Sequence, residues 1–202
     1  MACERNRILE TTQYLESLGI EVNLGKNKAR GNKGFFKAYD KNFRIDIAKN
    51  QSEETVLKTL VHEFAHYVHY TYDKTLKSLD FIIDENDELT EELIKLTVDS
   101  ISKNSIAPIF KAKEEIKAEI AKSSLNIFKQ KFLQKELKRI NSKISRLNRY
   151  YNSPTELFAR SMEAYILNRE VFLKKAPNLA KHYNQSHLPL IENLEKILLQ
   201  DC

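Results

Sequence analysis

The amino-acid sequence predicts an α+β protein that is mainly helical, with a small antiparallel sheet packed on one central helix. Alternating apolar residues predict a strand over 20–24 and a β-hairpin from Gly34 to Ala48, with its turn at 40–42. From Leu57 to Val68 the apolar residues instead recur every three or four positions, which is the period of a helix with one buried face. A long helical insert and C-terminal helices complete the predicted architecture.

Start and stop signals place the remaining elements. A helix over 5–18 is predicted to end at Gly19. Ser52 is the expected cap of the central helix, and two glutamates follow in its first turn, where the helix dipole favours acids. Residues 109–149 are predicted to form one long or twice-broken helix, and an amphipathic helix over 190–199 is expected to pack on the rest.

We expect the chain to have three parts. Residues 1–74 carry the sheet and the central helix, 75–149 form the helical insert, and 150–202 form a C-terminal half. The insert changes from acidic, at 80–92, to basic near its end. A short coiled-coil-like seam recurs there at alternating spacings of four and three: Leu133, Leu137, Ile140, Ile144 and Leu147. Because so short a seam needs a partner surface, we predict an antiparallel helical subdomain folded on itself and on the rest of the chain.

Composition limits the class of protein. With 42% hydrophobic residues the chain is expected to be globular, and its two cysteines indicate no disulfide framework. No apolar run approaches the length of a membrane span or of a signal core, so a cytoplasmic protein without membrane contact is expected. Export by a signal-free route would leave the same sequence. The net charge of +5 permits acidic partners but does not by itself indicate nucleic acid.

The strongest chemical signal is His62-Glu63-Phe64-Ala65-His66, in which two histidines stand one helical turn apart. Two imidazoles at this spacing can both bind one Zn²⁺ at roughly 2.0–2.1 Å, with Glu63 beside them to take a proton from water. The alternative is a chance motif on a solvent-exposed helix. Three of the five histidines lie within eight positions of an otherwise apolar helix, which favours the metal interpretation.

A catalytic zinc site usually needs a third protein ligand. His69 is a poor candidate, because it follows His62 by seven residues, roughly 10.5 Å along an unbroken helix. It is better suited to supporting the site, to contacting substrate or to being simply exposed. Glu156 and Glu163 both lie on a later helix, but Glu156 also occupies the capping-box position after Ser153. Periodicity alone leaves these two glutamates open.

A family resemblance bears on this choice. His62-Glu-Phe-Ala-His66 after a hairpin, followed by Glu156-Leu-Phe-Ala-Arg160 on a later helix, resembles the gluzincin-type zincin metallopeptidases. The most similar patterns belong to ImmA/IrrE-type peptidases, zincin-like domains of phage and mobile elements, and the anthrax-lethal-factor catalytic domain. The resemblance covers roughly residues 34–72 and 150–166 but not the helical insert.

The resemblance implies one Zn²⁺ per chain, held by His62, His66 and Glu156. Glu163 would then orient one of the imidazoles. It also implies that an extended polypeptide substrate pairs with a strand at the edge of the sheet, and the expected residues are Phe43, Arg44, Ile45, Asp46 and Ile47.

The expected activity is peptide-bond hydrolysis with Glu63 as general base, and Tyr150 or Tyr151 is the expected donor to the oxyanion. One alternative is a regulatory or binding module without turnover, which would contact an acidic protein or nucleic acid through the basic helical insert. Another is a structural zinc protein, although such a site has no need of the base Glu63.

Overall fold

The fold is α+β and mainly helical, as the sequence predicts. This computed structural model describes residues 2–26, 33–40, 42–76, 92, 107–122, 126–151, 153–185 and 189–199. Within them the order is α1 (Ala2–Ser17), β1 (Ile20–Lys26), β2 (Gly34–Tyr39), β3 (Asn42–Ala48), α2 (Glu53–Leu76), α3 (Ala107–Ile120), α4 (Ile127–Tyr151), α5 (Pro154–Leu167), α6 (Arg169–Lys175), α7 (Pro177–Gln185) and α8 (Pro189–Leu199). None of the described helices is long and apolar enough to cross a bilayer.

In the part of the chain that the structure describes, the sheet has three strands in the order β1-β3-β2. Strands β2 and β3 form the predicted antiparallel hairpin, and Asp40 at its turn has a φ of 53°. The predicted antiparallel pairing holds for the hairpin, but the sheet as a whole is mixed, because β1 pairs with β3 in parallel. The chain leaves β1 and enters β2 two strand positions away, and β3 returns between them in the same direction as β1.

The position of β3 corrects a second prediction. Phe43, Arg44, Ile45, Asp46 and Ile47 were expected to form the sheet edge that receives a peptide, but β3 is the central strand. Ile45, for example, lies between Val22 of β1 and Phe36 of β2. Backbone groups that already bond to two neighbouring strands are not available to a third. The edges are β1 and β2.

Helix α2 is the centre of the core, and its predicted apolar stripe is confirmed. Leu60, Val61, Phe64, Ala65 and Val68 are fully buried against α1, the sheet and α5. Burying each of the larger side chains contributes roughly 1.5–3 kcal/mol. The predicted cap is also present, because the Thr55 amide donates to the Ser52 hydroxyl at 3.3 Å. This burial holds the opposite face of α2 in a defined orientation.

Helix α5 packs along α2, and α8 closes the core on α1, where the Tyr14 hydroxyl donates to the Leu190 carbonyl at 2.8 Å. In the predicted insert, α3 and α4 pack against each other and are linked by Lys129 and Glu119, 2.7 Å apart. Helix α4 leads directly to α5. The three-part division stays a prediction, and most of the acidic stretch at 80–92 lies outside the described residues, as does the loop at 27–32.

Candidate metal centre

Three potential metal ligands meet between α2 and α5. The Nε2 atom of His62 lies 3.6 Å from Oε2 of Glu156, and Nε2 of His66 lies 3.3 Å from Oε1 of the same carboxylate. All three ligand atoms lie within 4.8 Å of one another. Ligand atoms around a tetrahedral zinc ion are about 3.3 Å apart, so a small cation fits among them.

Two local features bring Glu156 to the histidines. Helix α5 begins next to α2 and is held there by the buried side chains of Phe158 and Met162. The capping box that competes for Glu156 is not formed, because Ser153 makes no side-chain cap bond and instead donates its hydroxyl to the Tyr150 carbonyl at 2.8 Å. The first-turn carboxylate is therefore turned towards α2.

The chemistry of this group fits a zinc ion. Two imidazole nitrogens and one carboxylate oxygen form a common ligand set for catalytic zinc, which keeps a fourth position for water. Among the described residues, Oε2 of Glu156 is buried without a hydrogen-bond partner. Nε of Arg160 lies 3.5 Å from this oxygen, and a bound cation would supply the direct partner that the oxygen lacks.

Glu163, two turns of α5 after Glu156, contacts the far side of His62. Its Oε2 lies 3.0 Å from Nδ1 of His62, so a proton on Nδ1 leaves Nε2 free to face Glu156. Burial lowers the pKa of His62, but the bond to Glu163 and the nearby carboxylate charges outweigh burial and raise that pKa above its ordinary value.

The two buried carboxylates of the site have opposite electrostatic environments. Burial raises the pKa of Glu63 above its ordinary value. Burial also acts on Glu156, but a hydrogen bond from His66 and the charge of His62 lower the pKa of Glu156 overall. Pairs of carboxylates with pKa values displaced in opposite directions commonly divide acid–base work between them. Here Glu156 is suited to stay ionised, and Glu63 is suited to take up a proton.

The two candidate tyrosines occupy different environments. Tyr150 lines the cleft beside Glu156 and is 47% exposed; the partial burial of this residue together with its interaction with Glu156 raises its pKa, so it stays a hydroxyl donor at neutral pH. Tyr151 lies against Arg160, whose Cζ is 4.6 Å from the ring centroid, and does not line this cleft. The geometry therefore favours Tyr150 as the donor.

The cleft has a volume of about 400 Å³ and includes residues that the sequence did not single out. Strand β2 contributes Gly34, Phe35 and Phe36, and α2 contributes Tyr70. His69 also lines the cleft, where its ring stacks on Phe158 at 5.1 Å. Tyr70 follows His66 by one helical turn, and this spacing is the signal that could have identified it.

Comparisons of the chain with family models, with curated proteins and with solved structures found no match. The interpretation of the site therefore depends on its own residues. Those residues are a convergent ligand group from two helices, a separate buried carboxylate at Glu63, and a cleft that opens onto strand β2.

Proposed function

We propose that the protein is a zinc-dependent metallopeptidase that hydrolyses peptide bonds in polypeptides. The observation that carries this proposal is the pairing of a His62–His66–Glu156 ligand group with a second buried carboxylate, Glu63, at the same cleft. A purely structural zinc site would need the ligands but not the extra carboxylate.

Zinc held by His62, His66 and Glu156 would lower the pKa of water towards about 7 and polarise a substrate carbonyl. The Glu63 carboxylate accepts a proton from the attacking water and returns it to the leaving amine nitrogen. Its raised pKa suits both transfers, because a very weak base would not take the proton. Tyr150 donates its hydroxyl hydrogen to the developing oxyanion.

Strand β2 is the element we propose for substrate pairing. It is an edge strand beside the cleft, so an extended peptide can add to its outer side by backbone hydrogen bonds. The aromatic rings of Phe36 and Tyr70, with centroids 6.2 Å apart, line the cleft where the substrate's own side chains would enter. We infer an extended polypeptide with bulky apolar side chains as the substrate class.

A binding module without turnover is the second candidate, and one surface favours it. The outer face of α4 exposes Ile127, Phe128 and Phe132, the second of them to 82%. The same helix carries one acid, Glu136, and the following exposed basic residues: Lys129, Lys131, Lys135, Lys138, Arg139, Lys143, Arg146 and Arg149. A surface of this kind suits an acidic partner.

Cleavage of a peptide library by zinc-loaded wild type and by Glu63→Gln tests the proposal. The wild type should cleave, and Glu63→Gln should keep its zinc but lose cleavage, because an amide cannot accept the proton. Equal cleavage by both proteins would exclude Glu63 as the base. A fully zinc-loaded wild type that cleaves nothing but binds duplex DNA in a salt-sensitive manner would support the binding module instead.

A further inference from the structure

Gly34 lies where β2 passes close to α2. A Cβ atom built on Gly34 would overlap Cγ2 of Thr59 and would lie 3.0 Å from both Cγ and Oε1 of Glu63. Gly19 and Gly25 have positive φ angles, but Gly34 does not, so close approach rather than backbone conformation demands glycine here. The backbone of β2 therefore contacts the Glu63 side chain directly.

The hydrogen-bonding pattern of β2 explains a second contact. The Ala48 amide donates to the Lys33 carbonyl at 2.8 Å, and Phe36 is opposite Ile45 in the antiparallel register. Inward-facing and outward-facing amides alternate along such a strand, so the Phe36 amide points away from β3. It is directed at the Glu63 carboxylate, where it opposes the rise in pKa that burial causes.

We infer that Gly34 and the Phe36 amide position Glu63 for proton transfer, an inference that rests on the proposed role of Glu63 as the base. The missing side chain at Gly34 leaves room for the carboxylate beside the strand. The Phe36 amide then fixes its orientation from the same strand that we propose for substrate pairing. The backbone of β2 would thus position both the base and the substrate. A displacement of about 1 Å between such groups can lower a rate by about 100-fold.

Three variants separate this role from simple packing. Gly34→Ala should lower kcat by about 100-fold while leaving KM and zinc stoichiometry near wild type. Thr59→Ser removes Cγ2, the atom that a Cβ at position 34 would overlap, and keeps the hydroxyl that donates to the Thr55 carbonyl at 2.7 Å. The double variant Gly34→Ala/Thr59→Ser should therefore regain thermal stability but not kcat, because the added methyl still meets Glu63.

Gly25→Ala is the matched control. A Cβ there meets nothing within 4 Å, but the φ of +76° makes alanine strained, so this variant reports generic destabilisation away from the cleft. It should lose stability and keep kcat. Recovery of full kcat by the double variant would reduce Gly34 to a packing contact with Thr59 and overturn the inference.

Amide hydrogen exchange tests the same contact without turnover. In Glu63→Ala the Phe36 amide should exchange at least tenfold faster than in wild type, while the Phe35 amide, which faces β3, should be unchanged. If zinc-loaded wild type proved inactive, the proposed function would fail. The exchange measurement would then still test, without any activity, whether the Phe36 amide holds the Glu63 side chain in place. Unchanged exchange at Phe36 would overturn that role even in an active enzyme.

Discussion

Removing the Glu163 carboxylate should weaken zinc binding while leaving all three proposed ligands in the chain. Glu163 contacts Nδ1 of His62 at 3.0 Å, and its side chain is 29% exposed, so solvent screens this contact only partly. Without the carboxylate, the His62 ring loses the partner that fixes its orientation and its tautomer.

The expected magnitude follows from carboxylates that support a metal-bound imidazole, whose loss lowers metal affinity by roughly 10–100-fold, or about 1.4–2.7 kcal/mol. At a zinc concentration of about 100 times the wild-type Kd, bound zinc stabilises the fold by about 2.7 kcal/mol. With the weaker affinity of Glu163→Ala that gain falls to about 0.4–1.4 kcal/mol. The zinc-induced rise in Tm should then be about 3–9 °C smaller than in wild type.

Competitive zinc titrations and thermal melts with and without zinc measure both quantities. Glu163→Gln should show a smaller effect than Glu163→Ala, because its amide oxygen can still accept from Nδ1. Glu170→Ala is the control, since Glu170 is an exposed glutamate on α6 that does not line the cleft. An affinity in Glu163→Ala equal to that of Glu170→Ala would refute the reasoning.

Three further predictions address the ligand set, its pH dependence and the insert. Glu156→Ala should nearly abolish zinc binding in a zinc titration. If this variant instead binds zinc tightly, and its free energy of unfolding without zinc is about 0.5–2 kcal/mol lower than that of wild type, Glu156 acts as a helix cap and not as a ligand. Because the pKa of His62 is raised, protons should begin to compete with zinc for this residue at a pH above the ordinary pKa of histidine. Zinc titrations from pH 8 to pH 6 should therefore show the zinc affinity falling as the pH falls. A pH-independent affinity would contradict this. The third prediction concerns four basic residues of α4, each changed to Glu: Lys135, Lys138, Arg139 and Lys143. This charge reversal should alter cleavage of protein substrates but leave zinc content and short-peptide hydrolysis near wild type. Unchanged cleavage of protein substrates would mean that these charges only face solvent.

Elements with a strong local signal were predictable from the sequence. The α2 stripe from Leu57 to Val68 follows from helical periodicity, and the hairpin follows from an aromatic-rich stretch and an alternating stretch around a short turn. The start of α5 at Pro154 follows from a serine and a proline in their preferred positions. In each case the residues that determine the structure are neighbours in the chain.

Features that depend on distant residues were not predictable in this way. Alternation assigns the two faces of β3 but not its neighbours, so the parallel pairing with β1 and the central position of β3 were missed. Periodicity also left Glu156 and Glu163 open, because the rotation of α5 on α2 decides which carboxylate reaches which side of His62. Gly34 gave no signal, since its role comes from a contact with α2.

Zinc content of the purified protein tests the central claim most directly. Elemental analysis should find one Zn²⁺ per chain in wild type and in Glu63→Gln, because Glu63 is not a proposed ligand. The double variant His62→Ala/His66→Ala should contain none, and circular dichroism should establish that its helices are intact. Stoichiometric zinc in that folded double variant would contradict the proposed site.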